Sequence, residues 1–282
     1  MNAVLVNAAY GCLLATLLLG AVRRLVSRSV LDYIGNVSLG LGWIALTVFL
    51  AVRWEGGGFA PLSNQYESLV SLTWSVLLFH FIMTATSAID GFGFWTALLA
   101  LLFLGIASLL DRSVRPLVPA LQSNWILFHV STTLLAYAAL GLSTLSSIIY
   151  LKRHRSVRRP DSGRTSDIHV TLGTGPSMAG AAAEHVDAFT YRAMVLGFIL
   201  LTIGVILGAV WANEAWGTYW SWDPKETWSL ITWFVYAGAL HLRRVRKWTG
   251  ARFAWLCIAG FVCVLFTYFG VNYLLAGLHS YA

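Results

Sequence analysis

Long apolar runs, broken by short clusters of Arg, Lys, Gly and Pro, set the pattern of the chain. A helix that crosses the hydrocarbon core needs about 20 mostly apolar residues. Eight runs qualify, at residues 3–22, 34–52, 69–88, 92–110, 125–150, 194–211, 224–242 and 253–278. The pattern predicts an all-α, polytopic membrane protein with about eight transmembrane helices. The first run has no basic residue before it and no small-residue cleavage site after it, so it reads as a retained span. No internal repeat stands out, nor does the inverted pair of interrupted helices common in transporters.

Composition agrees with this pattern. Of the 282 residues, 58% are hydrophobic and 11% charged, against about 25% charged in a soluble domain. A mean hydropathy of +0.71 excludes a soluble enzyme, a disordered regulator and a collagen-like or coiled-coil rod. Cys12, Cys257 and Cys263 lie in apolar runs without C-x-x-C spacing, as packing residues do.

The net charge of +7 is best understood through topology, and no nucleic-acid partner is expected. Arg23, Arg24 and Arg28 lie between runs one and two. Lys152, Arg153, Arg155, Arg158, Arg159, Arg164 and Arg192 lie between runs five and six, and Arg243, Arg244, Arg246, Lys247 and Arg252 between seven and eight. Only Arg53, Arg112, Arg115 and Lys225 fall on the other side. Basic residues concentrate on the cytoplasmic side, so both termini are expected to be extracytoplasmic. Residues 153–187, rich in Arg, Ser, Gly and Ala, read as a flexible basic cytoplasmic insertion in which His154, His169 and His185 are solvated.

Residues 211–233 read WANEAWGTYWSWDPKETWSLITW and hold six of the 13 tryptophans. Trp and Tyr gather at both membrane interfaces, but such belts scatter over many helix ends. Trp216, Tyr219, Trp220 and Trp222 instead crowd one outer connection with Gly217, which suits a platform for a flat hydrophobic ligand with a polar edge. Asp223-Pro224-Lys225-Glu226 is a helix start, with Asp at the N-cap and Glu three residues on. Asp223 and Glu226 therefore read first as residues of the fold.

Four histidines lie in or at the ends of the spans, where an ionisable group is a functional candidate. His129 and His279 are expected level with the tryptophan segment. Two imidazoles beside an aromatic slot would meet the needs of a six-coordinate haem iron. His241, next to Arg243 and Arg244, reads as a helix-end residue, and Gly238 one turn earlier leaves room for a bulky neighbour. His80 reads as a hydrogen-bonded packing residue with no pocket near it. Asp32 and Asp90 read as ordinary helix-end residues.

Taken together, the tryptophan segment with the HLR that follows it, PLSNQYESL at 61–69, LQSNWILFHV at 121–130 and the terminal FGVNYLLAGLHSYA resemble a known family. It is the CcsA (ResC) family, the tryptophan-rich, haem-handling membrane subunit of the system II cytochrome c synthetase. The resemblance implies that His129 and His279 are the axial ligands of haem b, a substrate in transit, at the outer site. It implies that Trp216, Gly217, Tyr219, Trp220, Trp222 and Asp223 hold the porphyrin, and that His241 binds haem within the membrane. A CcsB (ResB) membrane partner would supply the second intramembrane ligand and a large extracytoplasmic domain. The implied reaction joins the two thiols of an apocytochrome c CxxCH motif to the haem vinyl groups, with no catalytic residue established in this chain. The chain has no C-x-x-C-H of its own and is not read as a c-type cytochrome. The resemblance implies a bacterial plasma membrane, or a thylakoid membrane in a plastid, with the active site on the extracytoplasmic face. The alternative readings are a haem exporter or chaperone without synthetase activity, and an unrelated solute transporter.

Overall fold

The computed structural model describes residues 2–26, 29–114, 116–157, 178–275 and 277–278. It is helical throughout, with no strand among the described residues. The helices are α1 (Asn2–Arg23), α2 (Ser29–Gly57), α3 (Gln65–Thr86), α4 (Phe92–Ser108), α5 (Asn124–Val157), α6 (Met178–Trp216), α7 (Pro224–Val245) and α8 (Ala251–Leu265). A π-turn (Phe266–Gly270) and a last short helix, α9 (Val271–Leu274), continue α8.

Each expected run thus has its helix. Six of the eight are long and apolar enough to cross a membrane by length and composition. Helix α4 has 17 residues. Helix α7 carries Lys225 and Glu226 at one end and His241, Arg243 and Arg244 at the other.

Successive helices run antiparallel. In the α1–α2 pair, the Thr16 hydroxyl donates to the Gly35 carbonyl (3.1 Å) and the Ser38 hydroxyl to the Cys12 carbonyl (2.8 Å). Helix α5 is the centre of the bundle, with every residue from 136 to 147 buried. A helix buried on all sides must satisfy its polar groups internally. The Ser143 hydroxyl donates to the Thr190 carbonyl (3.0 Å), and the Ser146 and Thr190 hydroxyls lie 2.8 Å apart. Small residues on α6 let the two backbones approach: a methyl on Gly197 would fall 2.6 Å from Leu140, and one on Gly204 would fall 2.7 Å from the Thr133 hydroxyl.

The alternation divides the bundle into two ends. Arg23, Arg24, Lys152, Arg153, Arg192, Arg243 and Arg244 share the basic end, while the tryptophan connection between α6 and α7 lies at the other, aromatic end. The three cysteines are free, and Cys257 is buried.

The segment 153–187 needs correction at both margins. Helix α5 continues to Val157 and α6 begins at Met178, because the run MAGAAAEH is rich in the residue with the best helix propensity. His185, expected to be solvated and uninvolved, is surface-exposed but has its Nε2 3.1 Å from the Ser87 hydroxyl and 3.0 Å from the Ala88 carbonyl. Asp187 accepts from Arg243 (2.5 Å) and from the Gly250 amide (2.8 Å), which ties α6 to the α7–α8 turn. Arg28, Arg115, Arg158, Arg159, Arg164, His169 and His279 lie outside the described residues, as do the side chains of His154 and Arg155.

Candidate functional site

The outer connection is built from two helix ends. Helix α6 stops at Gly217, whose φ of 79° is the left-handed value glycine tolerates, and its amide donates to the Asn213 carbonyl (2.9 Å). Helix α7 starts with the capping box expected from the sequence. Asp223 Oδ1 accepts from the Lys225 amide (2.9 Å), and Glu226 Oε2 accepts from the amides of Ser221 (2.7 Å) and Asp223 (3.2 Å). The second oxygen of Asp223 accepts from the Leu278 amide (2.6 Å). One carboxylate thus caps α7 and holds the C-terminal segment against the loop.

Beside this loop lies a cavity with about 1400 Å³ of empty space, open solvent at its mouth included. His129, Trp211, Tyr219 and Trp220 line it, with Lys225 and Gln65. His129 Nδ1 is 2.8 Å from the Gly204 carbonyl. A carbonyl only accepts, so the proton sits on Nδ1 and the lone pair on Nε2. This arrangement is the one that orients a metal-binding histidine. Gly208 makes room for the ring, since a methyl there would fall 2.7 Å from its Cε1.

The cavity also holds polar groups with capacity to spare. Lys225 Nζ donates to Asn272 Oδ1 (2.8 Å). Gln65 Nε2 is one of three buried side-chain polar atoms without a partner among the described residues. The cavity wall beside it rests on a buried ion pair. Arg53 Nε donates to Glu67 Oε1 (2.6 Å), while Glu67 Oε2 accepts from the Ser63 amide and hydroxyl (2.9 and 2.7 Å). That pair fixes the turn from Leu62 to Gln65, the PLSNQYESL motif of the sequence.

The six expected platform residues have different roles. Tyr219 and Trp220 line the cavity. Trp216 sits behind it, edge-on to Trp211 (4.8 Å, 65°), and Gly217 and Asp223 shape the loop. Trp222 is 69% exposed at a φ of 62° and meets Trp220 at right angles. Sequence reasoning missed Trp211, Gly204, Gly208, Lys225 and Gln65 as site residues. Trp211 and Lys225 stood in the quoted segment, but only packing distinguishes them.

The two basic-end histidines are not brought together. His241 is exposed on α7, and Gly238 has open space where a side chain would be. His80 is hydrogen-bonded and packed, as expected, with Nδ1 2.9 Å from the Thr96 hydroxyl. The expectation of no pocket near it is corrected: His80 lines a second cavity, together with residues 88–91 of the loop after α3 and with Gly20 and Gly93, where α1 and α2 approach α4 closely. No group of three metal-ligating side chains occurs among the described residues.

Comparison with known proteins gives a consistent picture. The family model described as "Cytochrome C assembly protein" matches residues 62–279. A cytochrome c biogenesis protein CcsA from Guillardia theta is 43% identical over 257 residues, covering 88% of this chain and 85% of that protein. CcsA from Mesostigma viride is 39% identical, covering 98% and 95%, and CcsA from Gloeobacter violaceus is 40% identical, covering 98% and 94%. A solved structure of cytochrome c heme lyase CcmF is similar in fold, with a TM-score of 0.61 and 16% identity. The likeness covers 95% of this chain and 46% of that one, so the chain spans about half its length. With its tryptophan loop, its helical membrane architecture and relatives at this level of identity over nearly its whole length, the chain belongs to the CcsA family of cytochrome c assembly proteins.

Proposed function

We propose that this chain receives haem b as a substrate in the aromatic-end cavity and, with a CcsB-type membrane partner, presents it to apocytochrome c for thioether attachment. The observation that carries the reading is His129, oriented through Nδ1 by the Gly204 carbonyl, with the Nε2 lone pair left for iron beside an aromatic wall. The other lining groups fit the same substrate. Lys225 is a cation for a propionate, and Gln65 Nε2 is a buried donor in search of an acceptor. His279, the residue after the one held by Asp223, is the proposed second axial ligand. His241 is the proposed intramembrane ligand whose companion comes from the partner. The Lys/Arg asymmetry supports an extracytoplasmic position for the aromatic end.

Thioether formation adds a thiol S–H across a vinyl C=C. The sulfur bonds to one carbon, the proton goes to the other, and no oxidant is consumed. The contribution of the chain is therefore positioning of haem edge against thiol, which makes it a subunit of a holocytochrome c synthetase rather than a carrier of reactive side chains.

The test is the absorption spectrum and haem content of the purified chain, alone and with its partner. The reading expects a low-spin bis-histidine spectrum on reduction. Synthesis should be lost in His129→Ala and in His279→Ala, and added imidazole should restore part of it. Full synthesis and an unchanged spectrum in both variants would remove the outer-site assignment. A reconstituted pair that binds haem but forms no thioether product would leave the exporter or chaperone reading.

A further inference from the structure

The second cavity, at the basic end, lies between α1, α2, α3, α4 and α5, has about 1280 Å³ of empty space, open solvent at its mouth included, and shares no lining residue with the first. Two independent features of its lining point to the same ligand.

The first is a buried imidazole. His80 is 2% exposed, stacked parallel on Phe92 (5.8 Å, 9°) and edge-on to Phe81 (5.3 Å). The Thr96 hydroxyl lies 3.1 Å from the Phe92 carbonyl and 2.9 Å from His80 Nδ1. When it donates to the carbonyl, its oxygen accepts from Nδ1–H and the lone pair falls on Nε2, the arrangement that Gly204 imposes on His129. Nε2 has no hydrogen-bond partner among the described residues.

The second is charge. Arg23, Arg24, Lys152 and Arg153 line the cavity with only two carboxylates, Asp32 and Asp90. Arg23 is paired with Asp32 (2.7 Å) and with Asp90. Arg24 lies over the Phe94 ring (4.1 Å) and Lys152 over the Trp95 ring (4.2 Å), and neither has a carboxylate partner among the described residues. Two cations thus remain available beside flat aromatic walls.

A phosphate headgroup would use the cations but set its anion against an imidazole lone pair. A bare metal ion would use the imidazole but meet four cations. A flat iron complex with two carboxylates satisfies all three kinds of lining group. We propose that this cavity is a second haem site, in which His80 Nε2 takes the iron and Arg24 and Lys152 take the propionates. The inference rests on the haem reading above and adds a docking site at the opposite end of the bundle, distinct from the exposed His241.

The test uses the full-length chain purified without its partner and titrated with ferric haem b or iron-free protoporphyrin. In a His129→Ala/His241→Ala/His279→Ala background, which removes every other histidine assigned to iron, haem binding with a histidine-ligated spectrum should persist. Adding His80→Asn, whose amide can still donate to Thr96, should weaken it about tenfold or more, and His80→Cys should shift the absorption band to that of thiolate ligation. Arg24→Gln/Lys152→Gln should weaken haem and iron-free porphyrin alike, whereas His80→Asn should weaken haem only. Loss of all haem in the His129→Ala/His241→Ala/His279→Ala background, or haem binding there that ignores His80→Asn, overturns the proposal. So does an Arg24→Gln/Lys152→Gln variant in that same background that loses co-purified anionic phospholipid but keeps its haem, which would make the cavity a lipid site. If His129→Ala changes nothing while His80→Asn removes haem, the outer-site reading fails and this one stands.

Discussion

The imidazole of His129 lies parallel to the indole of Trp211, with ring centroids 5.9 Å apart and planes 8° apart. Trp211 is itself held by its Nε1–H, which donates to the Ala120 carbonyl (2.9 Å). The histidine is thus clamped between a fixed indole and the α6 backbone. Its orientation depends on the α6 backbone and on the packing of Trp211 as much as on the histidine itself, and several outcomes follow from that dependence.

Gly208→Ala should disable the outer site without harming the helix. Alanine is favoured over glycine in a helix by about 1 kcal/mol, but the new methyl would meet the His129 ring at 2.7 Å. Disturbing the support of a metal-binding histidine typically costs about 10–100-fold in affinity. The ratio of haem to protein should fall by that order at normal expression. Gly105→Ala, where a methyl meets nothing within 4 Å, should leave the ratio unchanged.

Asp223 separates capping from C-terminal tethering. Asn caps about as well as Asp, so Asp223→Asn should keep the protein level near normal. Its single carbonyl oxygen cannot serve the amides of both Lys225 and Leu278, which now occupy different carboxylate oxygens. Haem content should therefore drop while expression holds. In Asp223→Ala both should drop, the lost cap alone costing about 1 kcal/mol.

Within the tryptophan loop, Trp220→Ala should reduce haem occupancy of the isolated chain several-fold, because Trp220 lines the cavity. Trp222→Ala should do little there, because Trp222 is exposed, and should show its effect only in the complex with the partner. Equal losses of haem and protein in both variants would indicate a structural loop instead.

Glu67→Ala should be among the most damaging changes away from the histidines. It strands Arg53, which is buried, paired at 2.6 Å and otherwise bonded to the Arg112 carbonyl. Breaking one side of a buried pair costs about 3–5 kcal/mol. Thermal denaturation in detergent should show a large loss, and Arg53→Met/Glu67→Leu should recover part of it by removing the stranded charge.

His241→Ala should leave the stability of the isolated chain unaltered, because His241 is exposed and no hydrogen bond to its ring is found among the described residues. Haem loss confined to the complex with the partner is the expected result. An equal loss in the isolated chain would place its iron site within this chain.

The eight helices, the segregation of charge and the start of α7 were legible in the sequence by itself, for a physical reason. Membrane thickness sets the length of an apolar run, the backbone satisfies its own hydrogen bonds within that run, and a capping box needs only four consecutive residues. The quoted motifs were likewise enough to name the family and to single out His129. What only the tertiary structure decided lies between helices: the Gly204 carbonyl on His129, 75 residues away, the Leu278 amide on Asp223, 55 residues away, and Glu67 on Arg53. The basic-end cavity around His80 belongs to the same class. Its lining comes from five helices, and no local pattern records which side chains five helices will turn toward one another. The helical margins of segment 153–187 were hidden for a related reason: composition shows a lack of bulky apolar residues, but not that Asp187 and His185 would find partners on α7 and in the loop after α3.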